Sequence, residues 1–360
     1  MTPFVPAPGQ TLEKDLELYP EGIILPIDKP YRWTSADVIR KIKWNAGKHF
    51  DRKNIKVGHA GTLDPLATGV LLVCIGKATK LAEELQSHEK EYVAGVSFGV
   101  VTPSYDLEKD VDAVFPLEGV SEESLRAALP QFIGEQMQVA PLFSAKSVDG
   151  VRAYETARKL YRQGRLADSG DILRASKVVI SELELLSLRR HLPNPSQQGE
   201  CQQGVCWQGE GQCAGAGLDE CQQGEGQQGE GHPGGLIKGE CQQGECQQGV
   251  FHLGGLIKGE CPPGGTHPAG NSLAVENPES NSRSNRINVA DISGYDLIQT
   301  EIRVRCSKGT YIRALARDLG EALGSGAFLH SLRRTAVGDF KIGQALSLTE
   351  ALYVLGHESL

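Results

Sequence analysis

The chain has 360 residues, 37 basic and 45 acidic side chains, and a formal net charge of −8. Residues 191–270 carry most of that imbalance, with 9 acidic against 2 basic residues, 21 of the 43 glycines and 7 of the 9 cysteines. The rest is close to neutral, so the acidic total does not exclude a polyanionic partner, and the longest apolar run, Val70–Ile75, is far below the roughly 20 residues that span a bilayer.

Residues 1–20 show no basic stretch followed by an apolar one, so no secretory signal is read and a tail is expected. Thr34-Ser-Ala-Asp37 has the form of a capping box and opens a helix through Val38, Ile39 and Ile42. An apolar strand follows at Val70–Ile75, and Thr79 is expected to cap a short helix with Leu81 and Leu85. Tyr92, Ala94, Val96 and Phe98 alternate as a strand. Ser121 starts a helix through Leu125 and Leu129 that Pro130 stops. Arg152–Arg165 reads as a basic helix and Val178–Leu186 as a strand. Ile302, Val304 and Cys306 alternate with Glu301, Arg303 and Arg305 as a half-buried strand. The next helix carries Leu315, Leu319 and Leu323 and ends at Gly324. This is α/β alternation of the α+β type. It predicts one domain over 21–191 and 286–350, with tails at 1–20 and 351–360. Outside the cysteine-rich stretch only Cys74 and Cys306 remain, read as core thiols in a reducing compartment, hence a cytoplasmic protein.

Residues 192–285 interrupt that domain. GGLIKGEC occurs at Gly234–Cys241 and again at Gly254–Cys261, with only Leu and Ile to bury in each unit, too little for a stacked solenoid core. Cys201/Cys206 and Cys241/Cys246 are C-x4-C pairs, but zinc sites usually show tighter spacing around a compact fold. A solvated, disordered loop between two strands of a hairpin is expected, with no metal.

Several segments carry candidate chemistry. Gly58-His-Ala-Gly-Thr-Leu-Asp-Pro-Leu-Ala-Thr-Gly69 packs three glycines and a proline into twelve residues, which excludes a regular helix. Pro65 biases Asp64 towards an extended conformation, so the carboxylate is displayed from a polar loop with His59, Thr62 and Thr68; a plain Asp-Pro turn is the competing reading. Ser307-Lys-Gly309, placed between a strand and a helix start, suits a phosphate or is simply solvated. Tyr92 in Lys90-Glu-Tyr92 opens a strand. Ala140–Lys146 precedes the basic helix with Tyr154 and Tyr161, either a nucleic-acid surface or an amphipathic helix.

In order, GHAGTLDPLATG, KATK, KEY, PLFSAK…GVRAYE, VRCSKGTYIRALARDLG and FLHSLRRTAVG resemble the bacterial tRNA pseudouridine-55 synthase family of TruB type. The resemblance runs from about Gly22 to Leu348 and skips 192–285. It implies a mixed, largely antiparallel sheet flanked by helices, no cofactor and no metal, and as partner the T-arm stem-loop of tRNA, bound by a monomer. It implies that Asp64 is the essential aspartate, acting as nucleophile or base at the ribose, and that Arg313 pairs with it. Tyr92 would pack against the target base and assist proton removal from C5, and Tyr311 and Leu332 would line the base pocket. His59 would sit near the space vacated by the flipped nucleotide, since a stacked base must leave the loop to be reached. Lys308, Arg333 and Arg334 are expected to contact phosphates.

The chain also departs from that pattern. Thr102-Pro-Ser-Tyr-Asp106 replaces the more usual T-x-T-x-D, and Phe143 stands where Tyr is common. The sequence after Leu348 is too short for the small RNA-binding domain some relatives append. A non-catalytic tRNA-binding or RNA-folding protein is the second reading, which the joint presence of Asp64, Tyr92 and Arg313 disfavours. A small-molecule phosphate enzyme would call for a GxxxxGK[ST] loop, and there is none.

Overall fold

Burial of one strand on both faces organises the molecule. In the computed structural model, β3 (Thr68–Ile75) sends Leu71, Val73 and Ile75 into the main core and Val70, Leu72 and Cys74 into a second one. A strand buried on both faces needs a continuous apolar run, which VLLVCI supplies. The structure describes residues 2–144, 146–148, 150–165, 173–193 and 287–357. The expected disorder of 192–285 therefore falls outside the described residues, apart from Leu192 and Pro193.

β3 belongs to a nine-stranded sheet with β1 (Ile23–Lys29), β2 (Val57–Ala60), β4 (Lys90–Phe98), β5 (Gly134–Gln138), β6 (Ser176–His191), β7 (Leu297–Cys306), β8 (Ala327–Val337) and β9 (Phe340–Lys341). The order is β1-β3-β8-β4-β7-β6-β5, with β2 beside β3 and β9 beside β8. Pairing is antiparallel except between β3 and β8, where Thr68 faces Arg333 and Gly69 faces Arg334. Gly69 has φ +102°, and a Cβ there would lie 2.1 Å from the Arg334 carbonyl oxygen, so only glycine permits this junction. Strands β6 and β7 pair from Ile180↔Cys306 to His191↔Leu297, the hairpin expected around the insertion.

The two longest helices pack into the main core, while Leu85 of a shorter one enters the second. α1 (Ser35–His49) starts with the expected box, Thr34 Oγ1 accepting from Asp37 N at 3.0 Å and Asp37 accepting from Thr34 N at 3.1 Å. α5 (Ile312–Ala322) buries Ile312, Leu315, Ala316 and Leu319 in the main core against Tyr92, Ala94, Val96 and Phe98 of β4. The shorter helices are α2 (Ala82–Ser87), α3 (Glu122–Ala128), α4 (Ala153–Arg162) and α6 (Leu348–Val354).

Four expectations are corrected. Thr79 does not cap α2; it lies in a 3-10 turn, Gly76–Leu81, with its hydroxyl on Gly76 O at 2.8 Å. The helix from Ser121 stops at Ala128, and Pro130 sits in a 3-10 turn over Leu129–Phe132, where a missing N–H costs nothing. Residues 2–20 are not a free tail: Phe4 bridges Ile23 and Leu12 is buried, its N–H bonding Val354 O at 2.9 Å. Nor does a tail begin at 351. Ser347 and Glu350 form a capping box, and Ala351, Val354 and Leu355, spaced as one helical stripe, enter the main core.

Candidate active site

Asp64 stands on the β2–β3 loop, and three buried groups hold that loop in place. Lys29, at the end of β1 and fully buried, donates from Nζ to the carbonyls of Pro30 (2.9 Å), Trp33 (2.5 Å) and Pro65 (3.2 Å). Burial pulls its ammonium down to about 7, with Asp64 opposing that fall. Ser35, at the start of α1, exchanges hydrogen bonds with both the N–H and the carbonyl of Leu63. Arg334, 1% exposed, donates Nε to Val70 O (2.7 Å) and Nη2 to Gly61 O (3.0 Å).

The carboxylate is aimed by Arg313, in the first turn of α5. Its Nε donates to Asp64 Oδ2 at 2.9 Å, Nη1 to Ser104 O at 2.9 Å and Nη2 to Phe143 O at 2.8 Å. Asp106 Oδ2 lies 3.6 Å from the same Nε, while its Oδ1 accepts from Ser104 Oγ (2.6 Å) and Glu108 N (2.9 Å). Burial opposes the charge on Arg313, but Asp64 and Asp106 hold it above its ordinary range. Burial pushes the Asp106 carboxyl up, with Arg313 opposing. Asp64 itself keeps 39% of its side chain exposed against 5% for Arg313. The arrangement is a fixed cation presenting an accessible carboxylate.

Two cavities meet at that carboxylate. The first, about 540 Å³, is lined by Asp64, Tyr92, Lys308, Tyr311, Leu332, Arg313 and Arg334 among others. Tyr92 is buried, and burial raises its hydroxyl above the usual phenol range while neighbouring Arg334 opposes. Tyr311 is fixed by Gln138, whose Oε1 accepts from Tyr311 N at 2.8 Å and whose Nε2 donates to Tyr311 O at 3.2 Å. The second cavity, about 440 Å³, is lined on the other side of Asp64 by His59, Glu108, Phe143, Arg152, Tyr154 and Arg158 among others. Burial lowers the His59 imidazole, and its Nδ1 has no hydrogen-bond partner among the described residues.

The structure thus brings seven of the nine expected residues into one cavity, places His59 in the adjoining one, and leaves Arg333 out of both. Arg333 is half-exposed and pairs with Asp28 at 2.7 Å. The phosphate contact expected of Arg334 is corrected, because a guanidinium buried on loop carbonyls is not offered to a backbone outside. Ser307 is corrected likewise: α5 starts at Ile312, and Ser307 exchanges hydrogen bonds with the Val179 backbone. Lys308 is exposed at the cavity rim. Lys29, Ser35, Ser104, Glu108 and Gln138 were not singled out from the sequence. Among the described residues no cluster of three or more His, Cys, Asp or Glu could hold a metal.

Comparison with known proteins fits this geometry. Residues 48–205 match the model of the TruB family pseudouridylate synthase N-terminal domain, and 313–357 that of the tRNA pseudouridylate synthase B C-terminal domain. The tRNA pseudouridine synthase B of Phocaeicola vulgatus is 36% identical over 331 residues, 92% of this chain and 92% of that protein. The chain belongs to the TruB family. The Flavobacterium johnsoniae protein of the same name is 32% identical over 334 residues, covering 92% of this chain and 96% of that one. A solved Cbf5-Nop10-Gar1 complex aligns at 20% identity and TM-score 0.45, over 99% of this chain and 64% of the solved one. Family membership agrees with the resemblance read from GHAGTLDPLATG onwards, and the largely antiparallel sheet agrees with the fold it implied.

Proposed function

We propose that this chain isomerises the T-loop uridine at position 55 of tRNA to pseudouridine, as a cytoplasmic monomer. The relatives' shared name supports the substrate, and no helix among the described residues is long and apolar enough to cross a membrane. The observation that carries the reaction is the accessible Asp64 carboxylate held by buried Arg313 at the mouth of a cavity containing Tyr92. Isomerisation breaks N1–C1′, turns the uracil and forms C5–C1′; the proton leaving C5 balances the one gained at N1. An ionised Asp64 beside the ribose serves either as nucleophile at C1′ or as base at the sugar. Tyr92, Tyr311 and Leu332 supply the flat apolar walls between which a flipped uracil turns.

The test uses an unmodified tRNA transcript, with pseudouridine mapped by carbodiimide-dependent primer-extension stops. Wild type produces a stop at the T-loop uridine; Asp64→Asn, which keeps shape but loses charge and basicity, binds the transcript and produces none. Turnover by the Asn variant within a few-fold of wild type overturns the assignment. RNA binding without any stop by wild type returns the reading to a non-catalytic RNA-binding protein.

A further inference from the structure

α5 holds the 102–106 loop at two points one helical turn apart, and the reaction above uses only the first. Residues four apart on a helix leave it on the same face, so Arg313 and Arg317 both turn towards that loop. Arg313 donates from Nη1 to Ser104 O at 2.9 Å and faces Asp106 at 3.6 Å. Arg317 places its guanidinium carbon 5.7 Å from the centre of the Tyr105 ring. Arg317 is itself fixed, Nε donating to Asp318 Oδ1 at 2.8 Å and Nη2 to Val139 O at 3.2 Å.

Between the two grips the backbone reverses. Tyr105 has φ +55°, the left-handed region that glycine and asparagine enter easily and a ring-bearing residue rarely does. Its N–H donates to Thr102 O at 3.0 Å, closing the turn, and its carbonyl accepts from Leu329 N on β8 at 3.0 Å. The reversal brings the Ser104 carbonyl and the Asp106 carboxylate, on either side of Tyr105, onto one guanidinium. Thr102 Oγ1 donates to Asp106 O at 2.6 Å and Ser104 Oγ to Asp106 Oδ1 at 2.6 Å, which locks the far side of the turn. A backbone in so sparsely populated a region persists where its surroundings over-determine it. A cation over the face of a half-buried ring is such a restraint, stronger than the same pair in open water.

We propose that Tyr105 is a positioning residue of the isomerisation: clamped under Arg317, its ring holds the left-handed turn that aims Ser104 and Asp106 at Arg313, and so fixes the direction of Asp64. Tyr105 is not among the residues that line either cavity at Asp64, so it acts through Arg313 and not on the RNA. This rests on the tRNA reading above. Its signature is a loss of rate with binding kept, because the cavity walls and Lys308 at the rim are untouched.

The test measures kcat and KM separately on an unmodified tRNA transcript, with thermal unfolding of each variant. Tyr105→Asn removes the ring but tolerates the left-handed backbone, Tyr105→Phe keeps the ring, and Arg317→Met keeps the stem and removes the cation. Expected for Tyr105→Asn is a fall in kcat of about tenfold or more with KM within about threefold, since a small misplacement at the reacting group is costly in rate. Tyr105→Phe restores kcat to within about twofold of wild type. Arg317→Met lowers kcat in the same direction, and adds less than about twofold when combined with Tyr105→Asn, as a single clamp requires. A kcat for Tyr105→Asn within about threefold of wild type overturns the proposal, even with a lowered Tm, and leaves the tRNA reading intact. A loss carried by KM alone also overturns it, and puts the ring on the RNA. Tyr105→Phe as slow as Tyr105→Asn moves the role to the hydroxyl and overturns the ring clamp. Should Tyr105→Asn fail to fold, Arg317→Met decides, and its kcat unchanged from wild type overturns the proposal. A wild type inactive on the transcript overturns the tRNA reading itself, and the proposal with it.

Discussion

Replacing Arg313 by lysine separates charge from geometry. The guanidinium serves Asp64, Ser104 O and Phe143 O from three different nitrogens and faces Asp106 at 3.6 Å, all from a position 4% exposed. Lysine keeps the positive charge, so Asp106 is not left as an uncompensated buried anion, a loss that would cost about 3–5 kcal/mol. Its ammonium carries three donors but sits at one point, whereas Nε, Nη1 and Nη2 reach three separated acceptors, so it is expected to keep one of the three hydrogen bonds. Two acceptors are orphaned, at about 1–3 kcal/mol each for buried groups, and relaxation around a shorter side chain recovers part. The expected destabilisation is about 2–4 kcal/mol, a fall in Tm of roughly 5–12 °C for a domain of this size. Asp64 also loses its directing partner, and a misplacement of about 1 Å at a reacting group costs on the order of 100-fold in rate. Thermal unfolding followed by circular dichroism, with single-turnover pseudouridine formation on tRNA, reads both quantities. A Tm within about 2 °C of wild type would refute the energetic argument. A lowered Tm with a rate within about threefold of wild type would refute the claim that the fork orients Asp64, leaving Arg313 a purely structural residue.

Three further outcomes follow from the geometry. Lys308→Ala should weaken tRNA binding similarly across sequences and lower the salt slope by roughly one unit, whereas Arg334→Met should leave the slope unchanged and lower Tm by orphaning Gly61 O and Val70 O; filter binding at several salt concentrations checks both. Gly69→Ala should destabilise by about 3 kcal/mol or more, or prevent folding, because the methyl would overlap the Arg334 backbone in a left-handed conformation; a urea midpoint near wild type would contradict the junction described. Deleting 194–286 with a short glycine-containing turn between Pro193 and Ile287 should preserve activity, since His191 already pairs with Leu297. Extending the deletion to Tyr295 should lower Tm, because Ile287, Val289, Ala290, Ile292 and Tyr295 pack on Val100, Leu107 and Phe328; equal melting of the two deletions would show that packing to be idle.

What the sequence disclosed, and what it withheld, divides by the distance over which the information acts. Capping boxes, the alternation in β4 and β7 and the leucine stripe of α5 are written within ten residues, and local periodicity recovers them. α6 went unread although Ser347 and Glu350 form a local capping box, and it is burial of Ala351, Val354 and Leu355 against distant elements that holds its seven residues. The burial of Arg334 beside half-exposed Arg333 was missed although a local rule bears on it. Adjacent strand residues point to opposite faces, so one arginine turned outward to Asp28 puts its neighbour in the interior.

The reactive group and its support differ in the same way. Asp64 and Arg313 each lie in a motif readable in isolation, but their 2.9 Å contact joins positions 249 residues apart. Lys29 reaches Pro65 across 36 residues, and Ser104 meets Arg313 across 209. None of these partners has a local signature, because a lysine at a strand end or a serine in a loop is most often solvated. Yet they decide what the aspartate can do. A carboxylate on an unsupported Asp-Pro loop would be one more surface acid. Held by Lys29 and Ser35 through its loop and by Arg313 directly, it becomes a group with a fixed direction between two cavities. Chemistry-bearing residues are thus legible in one dimension, whereas the preorganisation that turns them into a site exists only after the sheet has brought four separated segments together.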